Sequence, residues 1–203
     1  MSRNVGIVGY GMGNVTSLQH ALTALGAEVL LAERPVQLKD CSHIILPGVG
    51  AFPKGMEQLQ SLGFAEELYE QVRIREKALL GICLGMQLLA SIGKEHQICA
   101  GLGLLPGRVT LLDGAGLRVP HIGWNDTTPT HGNRLLPSNS KGCFYYVHSY
   151  QLIPENTGDI SMLCEYGQSF AAGIERDNIF GVQFHPEKSH SDGLALLKRF
   201  MDL

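Results

Sequence analysis

Four short apolar runs, Val5 to Val8, Glu28 to Ala32, His43 to Leu46 and Ala78 to Ile82, are spaced through the first half of the chain by turns and helix-like patterns. This alternation constrains the fold more than any other feature, because apolar strands separated by amphipathic helices build parallel sheets with crossover helices. The intervening pattern predicts a helix over Thr16–Leu25, stopped by Gly26, and one or two helices over Met56–Glu76, broken near Gly63. A further helix over Leu84–Ile92 follows the fourth run with almost no linker. After Gly103 the texture changes. Arg108–Leu112, Cys143–Tyr150, Ser161–Cys164, Phe170–Arg176 and Phe180–Phe184 read as strands between Gly, Pro and Asn turns, and a helix over Gly193–Met201 ends the chain. The expected fold class is α/β: a doubly wound, mostly parallel sheet with flanking helices, and additional antiparallel strands in the second half. No internal repeat or linker divides the 203 residues, so a single domain over residues 1–203 is expected.

Composition removes several function classes. A net charge of −3 and the lack of any Lys/Arg cluster argue against nucleic acid as a partner. The most apolar stretch, Ala78 to Gly93, is interrupted by Gln87 and is too short to span a membrane. The first nine residues carry one basic residue and too short an apolar run for an export signal. Five cysteines at irregular spacing, with no CxxC pair, make a disulfide framework or a metal site improbable and suit a reducing cytoplasm. Glycine is in excess, 25 residues, which implies many tight turns.

Two segments carry chemistry. Gly81-Ile82-Cys83-Leu84-Gly85 lies between a buried strand and a helix, and it has the logic of a nucleophile elbow. Flanking glycines let the chain turn sharply, and the central thiol is presented near free N–H groups of a helix start, which favour thiolate and can receive an oxyanion. Further on, Phe184-His185-Pro186-Glu187 places a histidine and a carboxylate two residues apart. Proline holds His185 in an extended geometry, so His185 and Glu187 share a side. Together with Cys83 they supply a nucleophile, a base and a group that orients the base.

In these segments, Gly81 to Gln87 and His185-Pro186-Glu187, the chain resembles the class I (triad) glutamine amidotransferases, and the resemblance implies their flavodoxin-like fold. Tyr10-Gly11-Met12-Gly13-Asn14, Leu46 to Phe52, Pro120 to Asn125, Tyr146 to Tyr150 and Val182 to Ser189 narrow it to the branch that serves histidine biosynthesis. The resemblance implies that Cys83, His185 and Glu187 are catalytic, with L-glutamine as substrate and no cofactor or metal. It implies an oxyanion site from the N–H of Leu84 and a second donor from the loop after the third strand. Proline has no N–H, so that donor is Gly48, Val49 or Gly50, with Val49 and Gly50 foremost. Gln87, Glu95, His148, Ser149 and Tyr150 would contact glutamine. Trp124, Asn125, Tyr146 and Lys188 would meet a cyclase subunit in a heterodimer, with Gly123 and Asn125 marking a loop around Trp124.

Two departures from the family pattern stand out. Val49 replaces the glycine that many relatives carry, and a β-branched residue resists positive φ, which suits an oxyanion loop held incomplete until a partner binds. Gly9 stands where relatives commonly carry Asp. Rival readings are an amidotransferase feeding pyridoxal, anthranilate or purine synthesis, and a dinucleotide-binding Rossmann protein suggested by Gly9-Tyr10-Gly11 and Glu33. The Rossmann fingerprint needs a small residue where Asn14 stands.

Overall fold

The four apolar runs of the first half are strands in the computed structural model, which describes residues 4–130, 132–137 and 140–203. In chain order the elements are β1 (Asn4–Val8), α1 (Val15–Ala24), β2 (Glu28–Ala32), β3 (His43–Gly48), α2 (Phe52–Ser61), α3 (Phe64–Tyr69), β4 (Ala78–Cys83) and α4 (Leu84–Leu88). Then follow β5 (Ile92–Gly93), β6 (Cys99–Ala100), β7 (Gly107–Leu111), β8 (His121–Pro129), β9 (Gly142–His148), β10 (Tyr150–Pro154), β11 (Ile160–Tyr166), β12 (Gln168–Arg176), β13 (Ile179–Val182) and α5 (His190–Met201).

Nine strands form one sheet in the order β2-β1-β3-β4-β13-β12-β11-β8-β9. The first five are mutually parallel, and the last four continue antiparallel. A smaller sheet, β10-β7-β5-β6, lies apart. The parallel strands read as unbroken apolar runs because both faces are covered. Ile45, Leu80, Ile82, Phe180 and Val182 pack with Leu18, Leu22, Leu196, Leu197 and Phe200 of α1 and α5. Their alternates Ile44, Leu46, Leu79 and Ile179 pack with Phe52, Met56, Leu59, Phe64 and Leu68 of α2 and α3.

Three readings from Leu84 onward need correction. The helix expected over Leu84–Ile92 stops at Leu88, because Leu88 O and Leu89 O accept from Leu102 N and Leu105 N, and Ser91 N turns to Gly107 O. The span expected as one strand over Cys143–Tyr150 is two, β9 and β10, parted at Ser149 and belonging to different sheets. Trp124 lies not in a loop but on β8. That strand escapes a hydrophobic reading because its inward residues, His121, Asn125 and Thr127, are polar, while Ile122 and Trp124 face outward.

Close backbone approach sets the join of β4 and α4. A side chain on Gly85 would place its Cβ 1.8 Å from Leu46 O, and one on Gly81 would meet Met86 Cα at 2.7 Å. Gly9 has the same cause: it donates to Ala32 O, and a Cβ there would lie 2.9 Å from that oxygen. Gly85→Ala is therefore expected to destabilise the chain by about 1–3 kcal/mol or more, since neither backbone can give way freely. Thermal or urea unfolding checks this; a midpoint equal to wild type would mean that the turn tolerates a methyl group.

Candidate active site

The catalytic-type residues gather where β3, β4 and β13 end, the edge at which ligands bind in open α/β sheets. Cys83 is the last residue of β4 and the cap of α4, with φ 54° and ψ −113°. A non-glycine residue at positive φ is strained, and Gly81 and Gly85 provide the space that permits it. The elbow expected from sequence is present. Its helix is short, however, and a five-residue α4 has little macrodipole to offer the thiol.

His185 follows β13, and its N–H donates to Tyr145 O on β9 at 2.9 Å. Its Nδ1 is 2.9 Å from Glu187 Oε1, and both side chains are almost wholly buried. Since the carboxylate accepts, Nδ1 carries the proton. The other ring nitrogen, Nε2, is buried without a hydrogen-bond partner. Burial pushes the imidazole pKa down, but the neighbouring Cys83 sulfur and Glu187 carboxylate outweigh it and raise it to about 9. At neutral pH His185 is therefore an imidazolium.

Cys83 and His185 open onto a cavity of about 380 Å³, a suitable size for an amino acid. Its lining includes Leu84, Val49, Gly50, Gln87, Glu95, His148, Ser149 and Tyr150, all singled out from sequence, and also Pro120 and Val147. Glu187 lies behind His185 and does not line it. Glu95 is anchored: its Oε2 accepts from Phe52 N at 2.6 Å, capping α2, and its side chain is 13% exposed. Val49 is exposed and stays at negative φ, while Gly50 takes φ 108°. Tyr10 OH donates to Pro47 O at 2.8 Å and steadies the start of that loop. Burial, and then the Cys83 charge, drive the Tyr10 phenol far above its ordinary range, so it remains a donor.

The remaining sequence candidates divide. Trp124 is 48% exposed and stacks on His190, and Lys188 lies over the Tyr145 ring. Tyr146 is fully buried, its hydroxyl bonded to Thr127, and so cannot present its ring to a partner. Side chains alternate along β9, so Tyr145, opposite Trp124 in the register, faces outward instead. Asn125 is half-buried and turns toward His121 and Glu165 O. Sequence reasoning missed His121 and Gln183, both buried polar residues near the cavity. Among the described residues, no group of three or more His, Cys, Asp or Glu is placed to hold a metal. No helix among them is long and apolar enough to cross a membrane.

Comparison with known proteins gives a consistent picture. A family model, glutamine amidotransferase class-I, matches residues 7–203. The chain is 46% identical over 202 residues to the imidazole glycerol phosphate synthase subunit HisH of Moorella thermoacetica, covering 99% of this chain and 95% of that one. To the subunit HisH 2 of Pseudomonas aeruginosa it is 40% identical, covering 97% and 98%. The chloroplastic imidazole glycerol phosphate synthase hisHF of Arabidopsis thaliana is 42% identical over 97% of this chain, which spans 34% of that protein's length. Among solved structures, PurLQS from Thermotoga maritima aligns with a TM-score of 0.76 at 21% identity, covering 100% of this chain and 99% of the other, a likeness of fold.

Histidine in an unfolded chain titrates near 6.5. His185, raised to about 9, therefore contributes stability that is complete below pH 6.5 and is lost as pH rises through 9. Removing one of its charged partners should flatten that limb: in Glu187→Gln, urea midpoints between pH 6.5 and 9 are expected to vary less than in wild type. Parallel curves for the two proteins would show that Glu187 does not hold the imidazolium.

Proposed function

This chain belongs to the class I glutamine amidotransferase family, and we propose that it is the glutaminase subunit of an imidazole glycerol phosphate synthase. It hydrolyses L-glutamine and passes the ammonia to a cyclase subunit that forms imidazole glycerol phosphate and AICAR in histidine biosynthesis. The full-length likeness to HisH subunits supports this branch over amidotransferases serving other pathways. It also disfavours the Rossmann reading, which leaves Cys83, His185 and Glu187 without a role. The observation that carries the chemistry is the buried His185–Glu187 pair, with its second ring nitrogen free, beside a strained cysteine in one cavity.

In this reading residues 1–203 act as one amidotransferase domain in the cytoplasm, with neither nucleic acid nor membrane as a partner. The Cys83 thiolate attacks the side-chain carboxamide carbon of glutamine, and the carbonyl oxygen becomes an oxyanion. The N–H of Leu84 faces that charge, with Val49 or Gly50 as the second donor. As the adduct collapses, the C–N bond breaks and His185 gives the leaving nitrogen its proton, so ammonia departs from a glutamyl thioester. An imidazolium at neutral pH is the right form for that step. Water, deprotonated by the now neutral His185, then cleaves the thioester to glutamate. Glu187 keeps Nε2 directed at the reacting atoms, and Glu95 and Gln87 hold the substrate, Glu95 through its α-ammonium group.

Ile122, Trp124, Tyr145 and Val147 make an outward apolar face on β8 and β9, near the cavity mouth, and Lys188 adjoins it. Such a face, with a central tryptophan, suits the cyclase contact. Asn125 would support it from within the sheet.

Cys83→Ala should abolish glutamate release while leaving the fold and cyclase binding intact; persistent release would end this reading. The isolated chain should turn over glutamine slowly and accelerate strongly with a cyclase subunit carrying its ligand, as followed by a coupled glutamate assay. Val49→Gly should raise the partner-independent rate, because glycine reaches positive φ without strain. An unchanged basal rate would remove Val49 as the restraint.

A further inference from the structure

Cys83 Sγ has a neighbour that the mechanism above leaves unused. Gln183, two residues before His185, is fully buried, and its Nε2 lies 3.7 Å from the sulfur. Which amide atom faces Cys83 follows from groups whose polarity is fixed. The Tyr150 carbonyl can only accept. Gln87 Nε2 lies 3.0 Å from that oxygen and 2.9 Å from Gln183 Oε1, so its two protons go to those two acceptors. With its oxygen committed to Gln87, Gln183 must turn its NH₂ toward Cys83.

A second arm from the same carbonyl is equally determined. His148 Nδ1 lies 2.9 Å from Tyr150 O and therefore donates, leaving Nε2 of the neutral ring to accept. His121 Nδ1, 3.0 Å away, is then the donor, and its Nε2 accepts from Asn125 Nδ2 at 3.3 Å. Asn125 has that orientation on independent grounds, since Nδ2 also donates to Glu165 O and Oδ1 accepts from Asp126 N. Protonating His148 would reverse His121 and set an N–H against the Asn125 NH₂. Both rings are accordingly neutral. Burial lowers each pKa to about 4, at His148 against the pull of Tyr150 O and with the nearby His185 charge acting in the same direction as burial.

We propose that Gln183 is a positioning residue for the nucleophile: its N–H donates to the Cys83 thiolate, and the network anchored on Tyr150 O keeps that N–H aimed at sulfur. The inference rests on Cys83 being the nucleophile. A protonated thiol has a different partner, the Val147 carbonyl at 3.9 Å. The amide donor therefore favours the thiolate and the carbonyl favours the protonated thiol, with Sγ between them.

Alkylation of the full-length chain by iodoacetamide at pH 7, without glutamine, tests this independently of glutaminase activity. Modification of Cys83 is followed by peptide mass spectrometry, with the exposed Cys143 as an internal reference. In Gln183→Met, which keeps the volume and loses the donor, Cys83 should react about tenfold more slowly relative to Cys143, the scale of a hydrogen bond to a charged group. Gln183→Glu keeps the acceptor that Gln87 needs and sets a carboxylate oxygen against the sulfur in place of the N–H. It should slow Cys83 more than the Met variant does, because repulsion adds to the lost donor, and it carries the test if the Met variant does not fold. An unchanged Cys83 to Cys143 ratio in folded variants overturns the proposal, as does an equal fall at both cysteines.

Discussion

The turn between β4 and α4 is the constraint on which the rest of the site depends. Cys83 holds its positive φ between Gly81 and Gly85, two residues away on either side, where no side chain would fit: Leu46 O occupies the space that a Cβ on Gly85 would need. The same contact fixes the relation of β3 to α4, and so the position of the loop Pro47 to Gly50 beside the sulfur. Tyr10, in the turn just after β1, ties that loop from a third side. A strained cysteine is thus held by backbone packed on backbone, which is stiffer than side chains could be.

Around this fixed point the protein sets three histidines to opposite uses. His185 is buried beside a carboxylate and a sulfur, and it keeps its proton to about pH 9. His121 and His148 are also buried, yet their neighbours are aromatic rings, an amide, a carbonyl and one another. Only the Tyr150 carbonyl favours the protonated form, burial outweighs it, and both rings stay neutral to about pH 4. Residue type alone distinguishes nothing here; the difference lies in which groups desolvation leaves beside each ring.

The sheet explains why one end of the molecule gathers residues so distant in sequence. β9 is an edge strand whose N–H and carbonyl groups are taken by the segment after β13: His185 N to Tyr145 O, Tyr145 N to Ser189 Oγ, and Cys143 N to Asp192. That pairing carries His148, Ser149 and Tyr150 over Cys83. It also closes an edge that would otherwise be open to aggregation.

Much of this was legible in the chain itself. The elbow, the His-Pro-Glu segment and the parallel strands are local patterns, because apolar periodicity, glycine spacing and proline act over a few residues. The sequence by itself determined the α/β class and singled out the cysteine and histidine proposed as nucleophile and proton carrier. Only the tertiary structure decided the rest. That Tyr145 and not Tyr146 faces outward depends on the register of β9 against β8, which neighbouring residues do not encode. That Glu95 caps α2 instead of lying in solvent, and that Gln183 reaches the sulfur, depends on contacts 43 and 100 residues apart. A hydrogen bond between buried groups is invisible until the backbone has brought them within about 3 Å, and the strand order of the sheet does that here.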